Sequence, residues 1–132
     1  MPVPDPAWSD VDGEPVVDLP SRQEFEAWLA DQPANSHAVW VRTAKKSSSL
    51  SSITEDEMVD VGLCHGWVSA VRRRCDDDTY LQRYARRRPS SKWSRINIAK
   101  VEQLTAAGLM RPGGLAEVEA AKADGRWNDP WT

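Results

Sequence analysis

Apolar and polar positions change period several times along the chain, and each change marks an element. Phe25, Trp28 and Leu29 recur at helical spacing behind Ser21 and Glu24, a serine followed three residues later by glutamate. That pattern predicts a short amphipathic helix over 21–32, ended by Pro33-Ala-Asn-Ser36. The β-rich run from His37 to Thr43 predicts a strand over 37–44. Five serines between 47 and 52 make a polar loop. Thr54 and Glu57 repeat the capping pattern. Met58, Val61, Gly62 and Leu63 then fall on or near one face, so a helix is expected over 54–65, stopped near Gly66.

Strict alternation follows. In Trp67–Arg74, Trp67, Ser69, Val71 and Arg73 are expected on one face and Val68, Ala70, Arg72 and Arg74 on the other. The turn Cys75–Asp78 lets 79–87 return as an antiparallel partner and places its three aspartates near Arg72, Arg73 and Arg74. Arg88-Pro-Ser-Ser91 breaks the strand. Trp93, Ile96, Asn97, Lys100, Val101 and Leu104 then keep a helical rhythm over 91–107, closed by Gly108. Pro112 suits the first turn of a last helix that buries Leu115, Val118 and Ala121 and ends at Gly125, with Arg126-Trp127 packing the tail back. Residues 1–18, rich in Pro and Asp, read as an extended N-terminal arm, and 19–132 as one domain.

The fold class expected is therefore α+β: a small antiparallel three-stranded sheet (37–44, 67–74, 79–87) packed with about four helices. The 132 residues suit a single domain. Seven tryptophans supply a large buried area, with Trp28, Trp40, Trp67 and Trp93 assigned to the core. No apolar run approaches the roughly 18 residues that span a bilayer, and the N-terminus lacks a secretory pattern. No membrane span and a cytoplasmic location are expected. Cys64 and Cys75 should be two thiols.

Charge changes the picture more than composition does. Residues 72–100 hold ten Lys/Arg against three Asp, and the remaining chain seven against seventeen acids. The net charge of −3 hides a basic segment in an acidic chain. Such a segment attracts an anion, a phosphate or a nucleic acid, or pairs with acids elsewhere as a solvated face.

Catalytic and metal patterns are weak. Cys64 and His65 are neighbours on a helix and point about 100° apart. No zinc spacing, phosphate loop or nucleophile elbow accompanies them. No metal or cofactor is expected, and no catalytic residue can be named. The most pointed stretch is Arg86–Asn97. Arg87 and Arg88 precede a helix start carrying Ser91, Ser94 and Asn97, with Trp93 as an apolar wall. Free N–H groups and forked guanidinium donors make an anion site there; simple capping by Ser90 or Ser91 is the alternative.

Several blocks occur in a specific order: Glu24–Leu29, Val39–Val41 with Lys45 and Lys46, Leu63–Val68, Arg86–Ser94 with Asn97, and Val101–Leu104 through Gly108–Met110. Together they resemble the YdeI/OmpD-associated (OmdA, bacteriocin-protection) family over about residues 19–127. Leu63, Cys64, Gly66, Trp67, Arg87, Arg88, Pro89, Ser91, Trp93, Ser94 and Asn97 match that pattern. His65 stands where an aromatic is usual, Ser69 where Asp is usual, and Ala85 or Arg86 where a proline precedes the arginines. The resemblance implies a role in stress or antimicrobial-peptide resistance. The expected function is a small binding protein with a cleft of Trp67, Arg87, Arg88, Ser91, Trp93, Ser94 and Asn97, joined by Lys45 and Lys46, for an anionic or phosphate-bearing ligand. Nucleic-acid binding through 72–100 is the alternative, and an enzyme acting in the same cleft the third reading. The sequence sets no oligomeric state.

Overall fold

Ser21 and Thr54 open the first two helices, as their spacing to glutamate requires. The Ser21 hydroxyl accepts from the Glu24 amide at 3.3 Å. At Thr54 the box is complete: its hydroxyl accepts from Glu57 N, and the Glu57 carboxylate accepts from Thr54 N. The protein's structure, a computed structural model, describes residues 10, 11, 13–19, 21–33, 35–49, 52–88 and 91–130. Its elements are β1 (Asp10–Val11), β2 (Glu14–Asp18), α1 (Arg22–Ala30), β3 (Ala38–Ala44), α2 (Glu55–His65), β4 (Trp67–Arg74), β5 (Thr79–Arg86), α3 (Arg95–Ala106), α4 (Pro112–Asp124) and a 3₁₀ turn (Arg126–Asn128). Trp8, Pro89, Ser90 and Trp131, and residues 1–9 of the expected arm, lie outside the described residues. No helix among the described residues is long and apolar enough to cross a membrane.

The α+β class and the β4–β5 hairpin agree with the sequence, but the sheet is larger and mixed. Its order is β1-β2-β3-β5-β4. Residues 14–18, read from the sequence as arm, form β2 and pair in parallel with β3, Val16 opposite Trp40 and Val17 opposite Val41. Glu14 anchors this strand. Its carboxylate accepts from Arg83 Nε and Nη2 at 2.9 and 2.7 Å and from Trp40 Nε1 at 3.0 Å. These bonds, the one from Arg83 foremost, hold the Glu14 carboxyl below its usual range.

The strict alternation expected of β4 breaks. Ser69 faces Tyr84 while Arg72 faces Gln82, so one extra residue bulges from β4. Past the bulge the faces exchange. Arg72 and Arg74 share the helix-covered face with Trp67 and Ser69, and Arg73 turns over Trp40 on the other. Gln82 Nε2 donates to the carbonyls of Val71 (3.2 Å) and Ala70 (3.4 Å), which satisfies the bulge. The Asp76–Asp78 turn also differs from expectation. Asp76 pairs with Arg42 of β3 at 2.9 Å, while Arg72 pairs with Glu55 of α2 at 3.0 Å.

One core lies between α1, α2 and the sheet, with Phe25, Val39, Val41, Met58, Trp67 and Tyr84 buried. A second joins α2, α3 and α4 through Leu63, Cys64, Trp93, Val101, Val118 and Ala121. Trp40 and Leu81 form a third on the far sheet face. Trp40, Trp67 and Trp93 are buried as expected; Trp28 is half-buried. Leu115, expected in the core, is exposed, and Gly114 takes the inward position. A Cβ on Gly114 would lie 2.5 Å from the Leu63 carbonyl oxygen and closer still to that of Cys64. The bare Gly113-Gly114 start of α4 thus abuts the carbonyl end of α2, where Arg111 N donates to Cys64 O at 3.0 Å. The positive pole of one helix meets the negative pole of the other.

Candidate functional site

The nine residues expected to form one cleft separate into three places. β3 spans seven residues, roughly 20–23 Å of extended chain. Lys45 and Lys46 lie past one end of it, beside the hairpin turn. Arg87 lies past the other end, because Ala38 pairs with Ala85 and Ala44 with Thr79.

At the turn end is a cleft of about 720 Å³, lined by Lys45, Lys46, Ser48, Ser52, Arg72 and Tyr80, with Ile53, Thr54 and Glu55 completing it. The Arg72 guanidinium sits 4.1 Å from the Tyr80 ring centroid and pairs with Glu55. Burial raises the Tyr80 hydroxyl above the usual tyrosine range, against the pull of Arg72. Among the described residues, the Lys45 and Lys46 ammonium groups have no carboxylate within ion-pair distance. The cleft therefore holds three cations and one carboxylate, already taken by one of them.

At the other end, Arg87 is buried and stacks on Trp93, its guanidinium carbon 3.6 Å from the ring centroid. Nη1 donates to Lys92 O at 3.2 Å, and Nε has no partner among the described residues. Burial pushes its pKa down to about 10. The helix over 91–107 begins later than expected, at Arg95, and Ser94 rather than Ser90 or Ser91 is its cap, accepting from Asn97 N at 3.1 Å. The Ser91 hydroxyl accepts from Arg88 N, and Ser91 O accepts from Arg126 Nη1 at 2.7 Å. Arg88 is exposed. These hydroxyls are occupied by the backbone and the Arg87 fork is covered.

Trp67 and Asn97 take a third position. Asn97 borders a crevice of about 10 Å³ with Trp67, Val68 and Ser69. Trp67 also walls a separate cleft of about 340 Å³ with Glu26, His65, Arg86 and Arg111. A family model for a domain of unknown function (DUF8412) matches residues 17–117. The chain belongs to the DUF8412 family. No curated protein and no solved structure matches it.

The DUF8412 match spans the residues of both the 720 Å³ and the 340 Å³ cleft. Arg72, Tyr80 and Glu55 join the first of them only through folding, because the bulge that turns Arg72 onto Tyr80 has no signal in the alternating pattern. Cys64 is unsuited to nucleophilic chemistry. It is buried, and burial, with Glu26 adding to it, pushes the thiol up to about 11.

Proposed function

We propose that this DUF8412 protein is a small cytoplasmic binding protein that holds an anionic or phosphate-bearing small molecule in the cleft of Lys45, Lys46, Arg72 and Tyr80. The observation that carries this reading is the pair of lysines without carboxylate partners, beside Arg72, in the 720 Å³ cleft. Its size lies within the range of small-molecule pockets. Ser48, Ser52, Thr54 and Tyr80 line it with hydroxyl-bearing side chains, those of Ser52 and Thr54 already bonded within the fold, and Ile53 offers an apolar wall. The resemblance to the YdeI/OmpD-associated proteins adds a role in stress or antimicrobial-peptide resistance to the same reading.

Nucleic-acid binding through 72–100 is the second reading, favoured by the exposed Arg74, Arg88, Lys92 and Arg95. Against it, much of the segment's charge is used internally. Arg83 binds Glu14, Lys100 binds Asp60 and Arg87 is buried.

Titration calorimetry with pyrophosphate and a sugar phosphate tests the first reading. Lys45→Ala/Lys46→Ala should weaken binding at least about tenfold, since a charge-assisted contact is worth about 1.5–3 kcal/mol. Equal binding by the double variant would refute it. A single-stranded oligonucleotide that binds more tightly, with a steep salt slope, would favour the second reading.

A further inference from the structure

The cleft at the Trp67 end of the sheet lies between the end of α1, the α2–β4 junction and the start of α4. Its charges do not balance. The Glu26 carboxylate is engaged by Arg111, which donates Nε and Nη2 to Oε1 at 2.9 and 2.6 Å. Arg86 is the surplus. Its Nε donates to Ser36 O at 2.7 Å and its Nη2 to Pro33 O at 3.1 Å. Nη2 also reaches Gln32 O at 3.5 Å; all three acceptors are neutral carbonyls, and no carboxylate pairs with Arg86 among the described residues. The Arg86 guanidinium stands 4.8 Å from the Trp67 ring centroid, one face held by the indole.

A second observation points to the same cleft. His65 lines it with a side chain only 10% exposed, and its buried Nε2 has no hydrogen-bond partner among the described residues. Glu26 Oε1 is 3.9 Å from that nitrogen, too far for a hydrogen bond. Leu29, Trp67 and Pro112 supply apolar wall.

We propose that this cleft is a second ligand site, separate from the lysine cleft, and that it takes a small organic monocarboxylate. The carboxylate meets the Arg86 guanidinium, and the apolar body lies against Leu29, Trp67 and Pro112 beside the His65 ring. One surplus positive charge matches one negative charge. With Glu26 cancelled by Arg111, nothing in this wall pairs the second charge of a dianion, so phosphate esters fit the other end of the sheet better. About 340 Å³ lies at the lower end of the range for small-molecule pockets and has room for a single ring with its carboxylate.

The test is a titration of the full chain with benzoate, followed by NMR at the His65 imidazole and the Trp67 indole N–H. Benzamide has the same shape without the charge, and inorganic phosphate has the charge without the ring. Benzoate should shift both residues saturably, with benzamide and phosphate at least about tenfold weaker. Ala30 is exposed on the rim, so Ala30→Trp fills the cleft without entering the core and should weaken benzoate at least about tenfold. Arg86→Gln should do the same, with Ala30→Trp deciding the matter if Arg86→Gln fails to fold. Lys45→Ala/Lys46→Ala should bind benzoate as the parent does. No saturable shift, equal response to benzoate and benzamide, or undiminished binding by Ala30→Trp would each overturn the proposal.

Discussion

The Arg87 guanidinium lies 3.6 Å from the centroid of the Trp93 indole, and both side chains are buried. A charge has been taken from water with a ring face and one carbonyl, that of Lys92, as its main compensation. Two substitutions separate packing from charge. Arg87→Ala should lose about 2–4 kcal/mol through the cavity it opens. Arg87→Met fills the space without the charge and should match or exceed the parent, as replacing buried ions by apolar side chains often does. Urea denaturation of both variants measures the difference; a Met variant as weak as the Ala variant would show that the charge itself stabilises.

Trp67 and Trp93 anchor different cores, each with an edge-on aromatic neighbour: Trp28 at 6.2 Å and Trp127 at 5.1 Å. Truncating either to Ala should cost about 3–5 kcal/mol. The two losses should add within about 0.5 kcal/mol, because the residues share no core cluster. Strong coupling in the double variant would contradict the separation of the cores.

Gly→Ala within a helix ordinarily stabilises by about 0.5–1 kcal/mol. Gly114→Ala should have the opposite sign, with a loss of about 1–3 kcal/mol, because the new methyl meets the carbonyls of Leu63 and Cys64. Backbone cannot give way as a flexible side chain does. Thermal melting of Gly114→Ala against the parent checks this, and an unchanged or raised Tm would count against the close approach of α4 to α2.

The Asp76 carboxylate joins the hairpin turn to the neighbouring strand. It accepts from Asp78 N, Thr79 N and the Thr79 hydroxyl, and it pairs with the buried Arg42 at 2.9 Å. Burial raises its pKa, but the Thr79 hydroxyl, the two amides and Arg42 prevail and hold it below the usual range. Asp76→Ala should cost about 2–4 kcal/mol, as breaking a pair to a buried charge does. Asp76→Asn keeps an acceptor oxygen and should recover part of the loss in the same denaturation experiment.

Burial pulls the His65 pKa below its usual value, with Glu26 opposing and Arg111 assisting. The unfolded chain then takes up a proton at a higher pH than the folded one. Stability should be full above about pH 6.5 and fall as the pH drops through the folded-state value. His65→Gln removes this slope. Denaturation of both proteins between pH 7.5 and 5 checks it, and a parallel pH dependence would place the effect on another group.

Local signals in the sequence were sufficient wherever one short segment determined the outcome. Thr54, Gly66 and Gly108 mark helix ends through their own backbone chemistry, and the helix after Thr54 runs as its pattern requires. The misses share one cause: the deciding partner is distant in the chain. β2 joins the sheet because Glu14 meets Arg83, 69 residues away. Arg72 changes face because Gln82 holds the bulge carbonyls. Ser94 displaces Ser91 as the cap of α3, while Ser91 closes a turn on Arg88. The candidate site divided for the same reason: β3 and β5 run antiparallel, so Lys45 and Lys46, which follow β3, lie a strand's length from Arg87, which follows β5.

The bulge in β4 has a consequence outside the monomer's own energetics. β4 is an outer strand of the sheet, and its exposed backbone is a template on which another chain could grow. The bulge puts that template out of step halfway along, and the consecutive charges of Arg72, Arg73 and Arg74 repel an identical strand brought alongside. Removing the extra residue and those three charges together would leave a straight, neutral border, and a variant of that kind should form fibrils more readily than the parent chain.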